Sequence, residues 1–183
     1  MCLIVALLAV VSAVSILVAL SPARTIMAGV AVLVAVALLK VVGERQLELA
    51  LRWRRGWAAE KSVGEELNRL RRDGFVVMHD IPQRGEGNID HIVSGPTGAY
   101  LIETKARAYE AQQLVKARRQ AAKLQAELGT WVTPVICLHD RDTKPFRHER
   151  VWIVPRQHIV AWIQGQKNRT APFEQLARYA DKL

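Results

Sequence analysis

From Cys2 to Leu20 the chain reads CLIVALLAVVSAVSILVAL without one charged residue. As a helix rising 1.5 Å per residue such a run covers about 28 Å, close to the thickness of a bilayer core. After Ser21-Pro-Ala-Arg-Thr25 a second apolar run, Ile26 to Val42, is interrupted only by Lys40, which sits near enough to the end to reach the headgroups with its amine. Two spans with a short connection predict a transmembrane hairpin. A cleaved signal peptide fits less well, because Met1-Cys2 offers no basic leader and the second run would still anchor the product.

Charge sets the orientation expected of that hairpin. The connecting segment carries Arg24 alone, whereas Arg45, Arg52, Arg54 and Arg55 follow the second run, interleaved with Trp53 and Trp57. Excess arginine marks the inner side of a membrane, and the tryptophans suit an interfacial helix as well as a solvated basic linker. The expectation is a multi-pass protein of a bacterial inner membrane: residues 1–43 form the hairpin and meet the lipid bilayer through 2–42. Residues 44–58 form a basic juxtamembrane segment, and the rest lies in the cytoplasm.

Every acidic residue lies after Val42, yet the whole chain has a formal net charge of +9. A basic excess favours anionic partners, nucleic acid or the lipid surface itself. Cys2 and Cys137 have no CxxC or Cys/His spacing, which predicts reduced, structural thiols and no zinc site.

The soluble part alternates between helical and extended patterns in the order αβββαββ. Lys61 to Asp73 carries Val63, Leu67 and Leu70 at helical spacing, with Ser62 as N-cap and Gly74 as the stop. Strands are expected over 75–81, closed by Pro82, and over 88–94 and 99–105, the last two joined by the turn Gly95-Pro96-Thr97-Gly98. A helix over 108–128 follows, free of Gly and Pro. Strands over 131–139 and 150–154 come next, the second at a sheet edge, then short helices over 157–163 and 173–182. A compact α/β domain over 59–165 with a helical tail over 166–183 results.

A hairpin symmetric about Pro96 and Thr97 opposes Ser94 to Ala99, Ile92 to Leu101 and Asp90 to Glu103. Opposed carboxylates destabilise a sheet unless something compensates them, and a divalent cation would. Period-two alternation puts Lys105 on the face of Glu103 and turns Tyr100, Ile102, Thr104 and His91 the other way. Carboxylates on Mg²⁺ or Mn²⁺, a nearby lysine and a free Thr104 carbonyl are the parts of metal-assisted phosphodiester hydrolysis. By itself, a short Glu-x-Lys reads more often as a surface ion pair. The pairs His79-Asp80 and His139-Asp140 look like HD motifs but fall at strand ends, where ordinary polar residues are expected. Lys116, Arg118, Arg119 and Lys123 on the long helix suit a phosphate backbone or plain solvent equally.

The stretch GNIDHIVSGPTGAYLIETK, Gly87 to Lys105, resembles the signature of the nuclease-related domain (NERD) family, a branch of the PD-(D/E)XK restriction-endonuclease-like superfamily. Gly64-Glu65 resembles that family's GE motif, and Gln120 in RRQAAKL the glutamine of its following helix. The resemblance implies an αβββαβ core with a mixed sheet, Asp90 and Glu103 as metal ligands, and Lys105 as the catalytic lysine. It also implies contributions from Glu65 and Gln120, the Thr104 carbonyl as a further ligand, and Mg²⁺ or Mn²⁺ as cofactor. Many members insert a β-excursion after the lysine; here ARAYEAQQ leads almost directly into helix. The function expected is a membrane-anchored nuclease acting on DNA. The alternative is a non-catalytic nucleic-acid-binding or protein-interaction module tethered to the membrane.

Overall fold

The computed structural model describes Ser12, residues 22–83, Gly85 and residues 87–166. Its element order is α1 (Pro22–Leu67), a 3₁₀ turn (Asn68–Asp73), β1 (Val76–Gln83), β2 (Gly87–Gly95), β3 (Gly98–Lys105), α2 (Ala111–Leu128), β4 (Val132–Leu138), β5 (Phe146–His148), β6 (Val151–Pro155) and, after a 3₁₀ turn over 156–158, α3 (Ile159–Gln164). The expected tail helix over 173–182 lies outside the described residues.

The chain divides into two compact units, Met1–Trp53 and Arg54–Leu183. Among the described residues no helix is long and apolar enough to cross a membrane, so the expected hairpin is not supported. The first expected span, residues 2–20, lies outside the described residues apart from Ser12. Over the second the chain is helical, with Ile26, Met27, Val30, Leu33 and Leu38 exposed. Two local differences have plain causes. Pro22 to Thr25, expected as a loop, already belong to α1, because proline is preorganised for a first helical turn. The helix also does not stop at Val42: strong helix formers in ERQLELALRWRR carry it on through Ser62, which is interior rather than an N-cap.

In the second unit the strands form one six-stranded sheet in the order β1-β2-β3-β4-β6-β5. β1-β2, β2-β3 and β5-β6 are antiparallel, while β3-β4 and β4-β6 are parallel. This is the mixed sheet expected. On one face, Val63 and Leu67 of α1, Leu70 and Ile159 and Ile163 of α3 bury against Val77, Val93, Tyr100, Ile102, Val135 and Val154. On the other, Leu114, Ala117, Ala121, Leu124 and Leu128 of α2 cover Ile92, Leu101, Ile136 and Ile153. The central strands are thus apolar on both sides, as sheets covered on both faces must be.

Boundaries follow local chemistry. Gly74 ends the 3₁₀ turn at φ +80°, its N–H donating to the carbonyls of Arg71 and Leu70. Helix α2 starts at Ala111, later than expected, because Glu110 and Gln113 form a reciprocal capping box. The expected strand over 150–154 is not the edge; the exposed three-residue β5, too short to carry a pattern, pairs outside it. A Cβ on Gly95 would lie 2.3 Å from the Phe75 ring. Gly95→Ala is therefore expected to cost about 1–3 kcal/mol through overpacking, read as a lowered denaturation midpoint.

Candidate metal-assisted hydrolytic site

The hairpin register is that expected as far as Ser94↔Ala99, Ile92↔Leu101 and His91↔Ile102, where the β2-β3 ladder ends. Asp90 and Glu103 would form the next pair. The backbone pairing gives way there to a side chain: the Thr104 N–H donates to Asp90 Oδ2 at 2.6 Å. Lys105 O accepts from His139 N at 2.9 Å, on the β4 side, so the backbone groups of Thr104 turn toward β2 and Asp90.

Glu103 is 2% exposed, and a carboxylate so deeply placed has to be paired. Both oxygens are: Lys105 Nζ lies 3.3 Å from Oε2 and Lys116 Nζ of α2 lies 3.1 Å from Oε1. Among the described residues Asp90 has no such cation in contact. Burial, reinforced by the Glu103 charge, pushes its carboxyl up to about 7, against the Thr104 hydrogen bond and the more distant Lys105. One carboxylate is thus neutralised by ammonium groups and its neighbour is left in electrostatic deficit.

Two further acids stand around this pair. Asp80 lies across β1 from Asp90 but leaves the ladder, with φ +51°, a conformation aspartate tolerates better than most residues. Asn88 Nδ2 donates to its Oδ1 at 2.7 Å. Glu60 of α1 has its pKa raised, first by burial and then by Glu103 and Asp80, with Lys105 pulling the other way. Together with Asp90, His79, His91, Glu65 and Trp57 these residues line a cleft of about 400 Å³.

Behind the cleft runs a hydrogen-bonded chain whose protons can be assigned. Arg71 Nε, which can only donate, gives its hydrogen to Asn68 Oδ1 at 2.8 Å. His79 Nε2, 3.2 Å from the same oxygen, must therefore donate too, and a neutral His79 then accepts at Nδ1 from His91 Nδ1 at 2.8 Å. His91 Nε2 is left to accept from the Thr104 hydroxyl at 3.2 Å. Burial lowers both histidines, His91 to about 3 with the His79 charge adding to it, so both rings stay neutral. His91 is packed and hydrogen-bonded, as its alternation implies. His79 and Asp80 lie within β1 and face the cleft, where they had been expected to be ordinary strand-end residues.

The remaining expected site residues fall as follows. Lys105 joins Glu103 as the spacing implies. Glu65 lines the same cleft as Asp90 and is exposed. Gln120 is fully buried on the sheet-facing stripe of α2, its Nε2 donating to Asn88 O at 3.4 Å, two residues from Asp90. Cys137 is buried and free, its thiol pushed up to about 12 by burial, which leaves it inert. The sequence alone gives no reading of Glu60, takes Asp80 as a strand-end residue, and assigns Lys116 to a phosphate backbone or solvent and not to Glu103. Glu60 had a signal: it lies three and seven residues before Val63 and Leu67, on the stripe that meets the sheet, whereas Glu65 falls off it.

Among the described residues no group of three or more His, Cys, Asp and Glu side chains is placed to hold a metal ion. Among the described residues Asp90 and Glu103 offer neighbouring hard oxygen donors, and Mg²⁺ is commonly held by one or two carboxylates with waters completing its shell. The donor chemistry therefore fits a hard divalent cation.

Residues 55–139 match the family model for NERD, the nuclease-related domain. The match supports the NERD family for this segment, and with it a nuclease-related function. It covers α1 from Arg55 through β4 to His139, and so every residue of the cleft. No curated protein and no solved structure matches the chain.

Proposed function

We propose that this protein is a divalent-metal-dependent nuclease that hydrolyses phosphodiester bonds, of DNA in the first instance, at Asp90, Glu103 and Lys105. The observation that carries this is the unequal state of the two carboxylates. Glu103 is neutralised by Lys105 and Lys116, while Asp90 is buried beside it with no cation in contact among the described residues. A purely structural hairpin gains nothing from keeping that deficit.

Asp90, Glu103 and the Thr104 carbonyl would hold Mg²⁺ or Mn²⁺, which when bound supplies charge neutralisation at the phosphate and a more acidic water. The protein's own groups do the rest. The Thr104 N–H fixes the Asp90 carboxylate, and the Asn68-His79-His91 chain fixes the Thr104 side chain from behind. Lys105 lies at the rim of the sheet, partly exposed, where its ammonium can meet a phosphate oxygen or orient the attacking water. Lys116 remains as a partner to Glu103 Oε1 when Lys105 turns to substrate. Glu60 stands on α1 within electrostatic reach of Lys105.

Attachment to the lipid bilayer belongs to the same proposal. It rests on the uncharged run 2–20, the exposed apolar side chains between Ile26 and Val42, and the exposed Trp53 and Trp57 among arginines. Alkaline carbonate extraction of cell membranes tests it: the full chain stays in the pellet if anchored, and release into the supernatant rejects the anchor.

The nuclease activity is tested by incubating the full chain in detergent with supercoiled plasmid, single-stranded DNA and RNA, in Mg²⁺, Mn²⁺ or chelator. Cleavage of DNA that depends on metal and stops with chelator is the expected outcome. Metal-independent binding without cleavage of any substrate favours the non-catalytic interaction module instead.

A further inference from the structure

The cleft beside Asp90 is lined by the carboxylates of Glu60, Glu65, Asp80 and Asp90 and, among the described residues, by a single cation, Lys61 of α1. We propose that Lys61, held over the ring of Trp57, binds a backbone phosphate of the substrate strand beside the one that is cut. The inference rests on the nuclease reading and adds to it a second, charge-based contact for the strand.

The electrostatics of the cleft give the first argument. Nucleic acid carries a negative charge at every phosphate, and a wall of carboxylates repels it. A cation on Asp90 and Glu103 would offset that repulsion at the bond to be cut, but Glu60, Glu65 and Asp80 remain around it. Lys105 and Lys116, the ammonium groups nearest the pair, are engaged with Glu103 oxygens at 3.3 and 3.1 Å. A neighbouring phosphate entering the cleft therefore meets Lys61 as the counter-charge in its lining.

The second argument is how Lys61 is held. Its ammonium lies 5.5 Å from the centroid of the Trp57 ring, one helical turn back on α1. Glu65 stands one turn forward, at a spacing that favours ion pairs, and elsewhere on the same helix Lys40 with Glu44 and Arg52 with Glu48 form them. Lys61 forms none among the described residues. The face of an indole attracts an ammonium through its quadrupole and carries no charge to neutralise it. Lys61 is thus oriented by the ring while its charge and its N–H donors stay available to a phosphate oxygen.

Location gives the third. Glu60, the residue before Lys61, lies within electrostatic reach of Lys105, Glu103 and Asp80, so the turn of α1 that carries Lys61 borders the hydrolytic centre. Trp57, Lys61 and Glu65 follow one another at four-residue intervals, and that stripe of α1 is the one the cleft shares with Asp90.

The test uses the full chain in detergent with a fluorescein-labelled oligothymidylate of about twenty nucleotides, cleaved in Mg²⁺ for KM and kcat, and bound in Ca²⁺ for anisotropy over a salt series. Lys61→Ala is expected to raise KM about five- to ten-fold with kcat nearly unchanged, and to lower the slope of log affinity against log salt by about 0.7, one phosphate's worth for a single strand. Lys61→Arg should restore both. The losses should be equal on an oligocytidylate, since a phosphate contact reads no base. Trp57→Leu should give a smaller loss, and none when added to Lys61→Ala, because the ring acts through the ammonium. An unaltered salt slope overturns the proposal, as does a fall in kcat with KM unchanged. So does a Lys61→Ala loss seen only on phosphatidylserine vesicles, which would assign the pair to a lipid surface. Failure of the nuclease reading looks different: the unsubstituted chain cuts nothing in Mg²⁺, whatever the salt slope of binding in Ca²⁺.

Discussion

Asp90→Ala, Glu103→Ala and Lys105→Ala should each lower metal-dependent cleavage roughly a thousand-fold, but only the first two should weaken Mn²⁺ binding. The split follows from the site. An ammonium is not a ligand, and Lys105 lies 3.3 Å from Glu103 Oε2 as that oxygen's counter-ion. Removing it frees a carboxylate oxygen, so Lys105→Ala should bind Mn²⁺ as well as the unsubstituted chain or better, while losing cleavage. Lys116→Ala is expected to fall between, near ten-fold, because Lys116 holds the other oxygen of the same carboxylate at 3.1 Å. On α1 the order should be Glu60→Gln above Glu65→Gln: both side chains are exposed, but Glu60 lies close enough to sense Lys105 and Glu103. Isothermal titration with Mn²⁺ and cleavage rates on one plasmid measure both quantities. A Lys105→Ala chain that loses metal together with cleavage would contradict the assignment.

What could be read from the chain alone divides along physical lines. The β2-β3 register followed from a four-residue turn and a period of two, so the pairs at Ile92 and Ser94 were legible. Helix α2 and its C-terminal stop at Gly129 followed from propensity and from the one residue type that takes φ +63° freely. The ladder's end beyond His91 was not legible, because it depends on which donor reaches Asp90 first. Lys116 is thirteen residues from Glu103, and only the crossing of α2 over β3 brings them together. The short β5 carries no periodicity of its own and exists because β6 offers an open edge. Asp80 was dismissed on the premise that β1 ends at Pro82, whereas the strand continues through it to Gln83 on the outer side of the sheet, where proline's missing N–H is tolerated. Glu60 was legible and passed over: the stripe used to place Val63 and Leu67 extends back one turn to it.

Relief of the Asp90 deficit should appear as stability with a defined pH dependence. In the metal-free protein Asp90 has its carboxyl raised to about 7 from an ordinary 3.8, by burial first and Glu103 second. The folded state therefore holds a proton that the unfolded state has already lost between those two values. By linkage, the stability this group provides is fully present below about pH 4 and declines as pH rises, by up to about 1.4 kcal/mol per unit, until about pH 7. Asp90→Asn removes the titration while its amide oxygen can still accept the Thr104 N–H. The substituted chain should thus be more stable than the unsubstituted one at about pH 8, by roughly 2–4 kcal/mol, and near parity at about pH 4. Glu103→Gln should behave in the opposite sense, although it too removes one of the facing acids. Glu103 is already neutralised by Lys105 and Lys116, and deleting its charge leaves two ammonium groups beside a buried amide. Adding Mg²⁺ at about pH 8 should raise the stability of the unsubstituted chain, since a ligand that binds only the folded state stabilises it by mass action, and should do little for Asp90→Asn. Chemical denaturation of each chain at about pH 4 and pH 8, with Mg²⁺ and with chelator, resolves these outcomes. If Asp90→Asn is destabilised at the higher pH, the buried carboxylate was already compensated and the electrostatic deficit on which the cation site rests is absent.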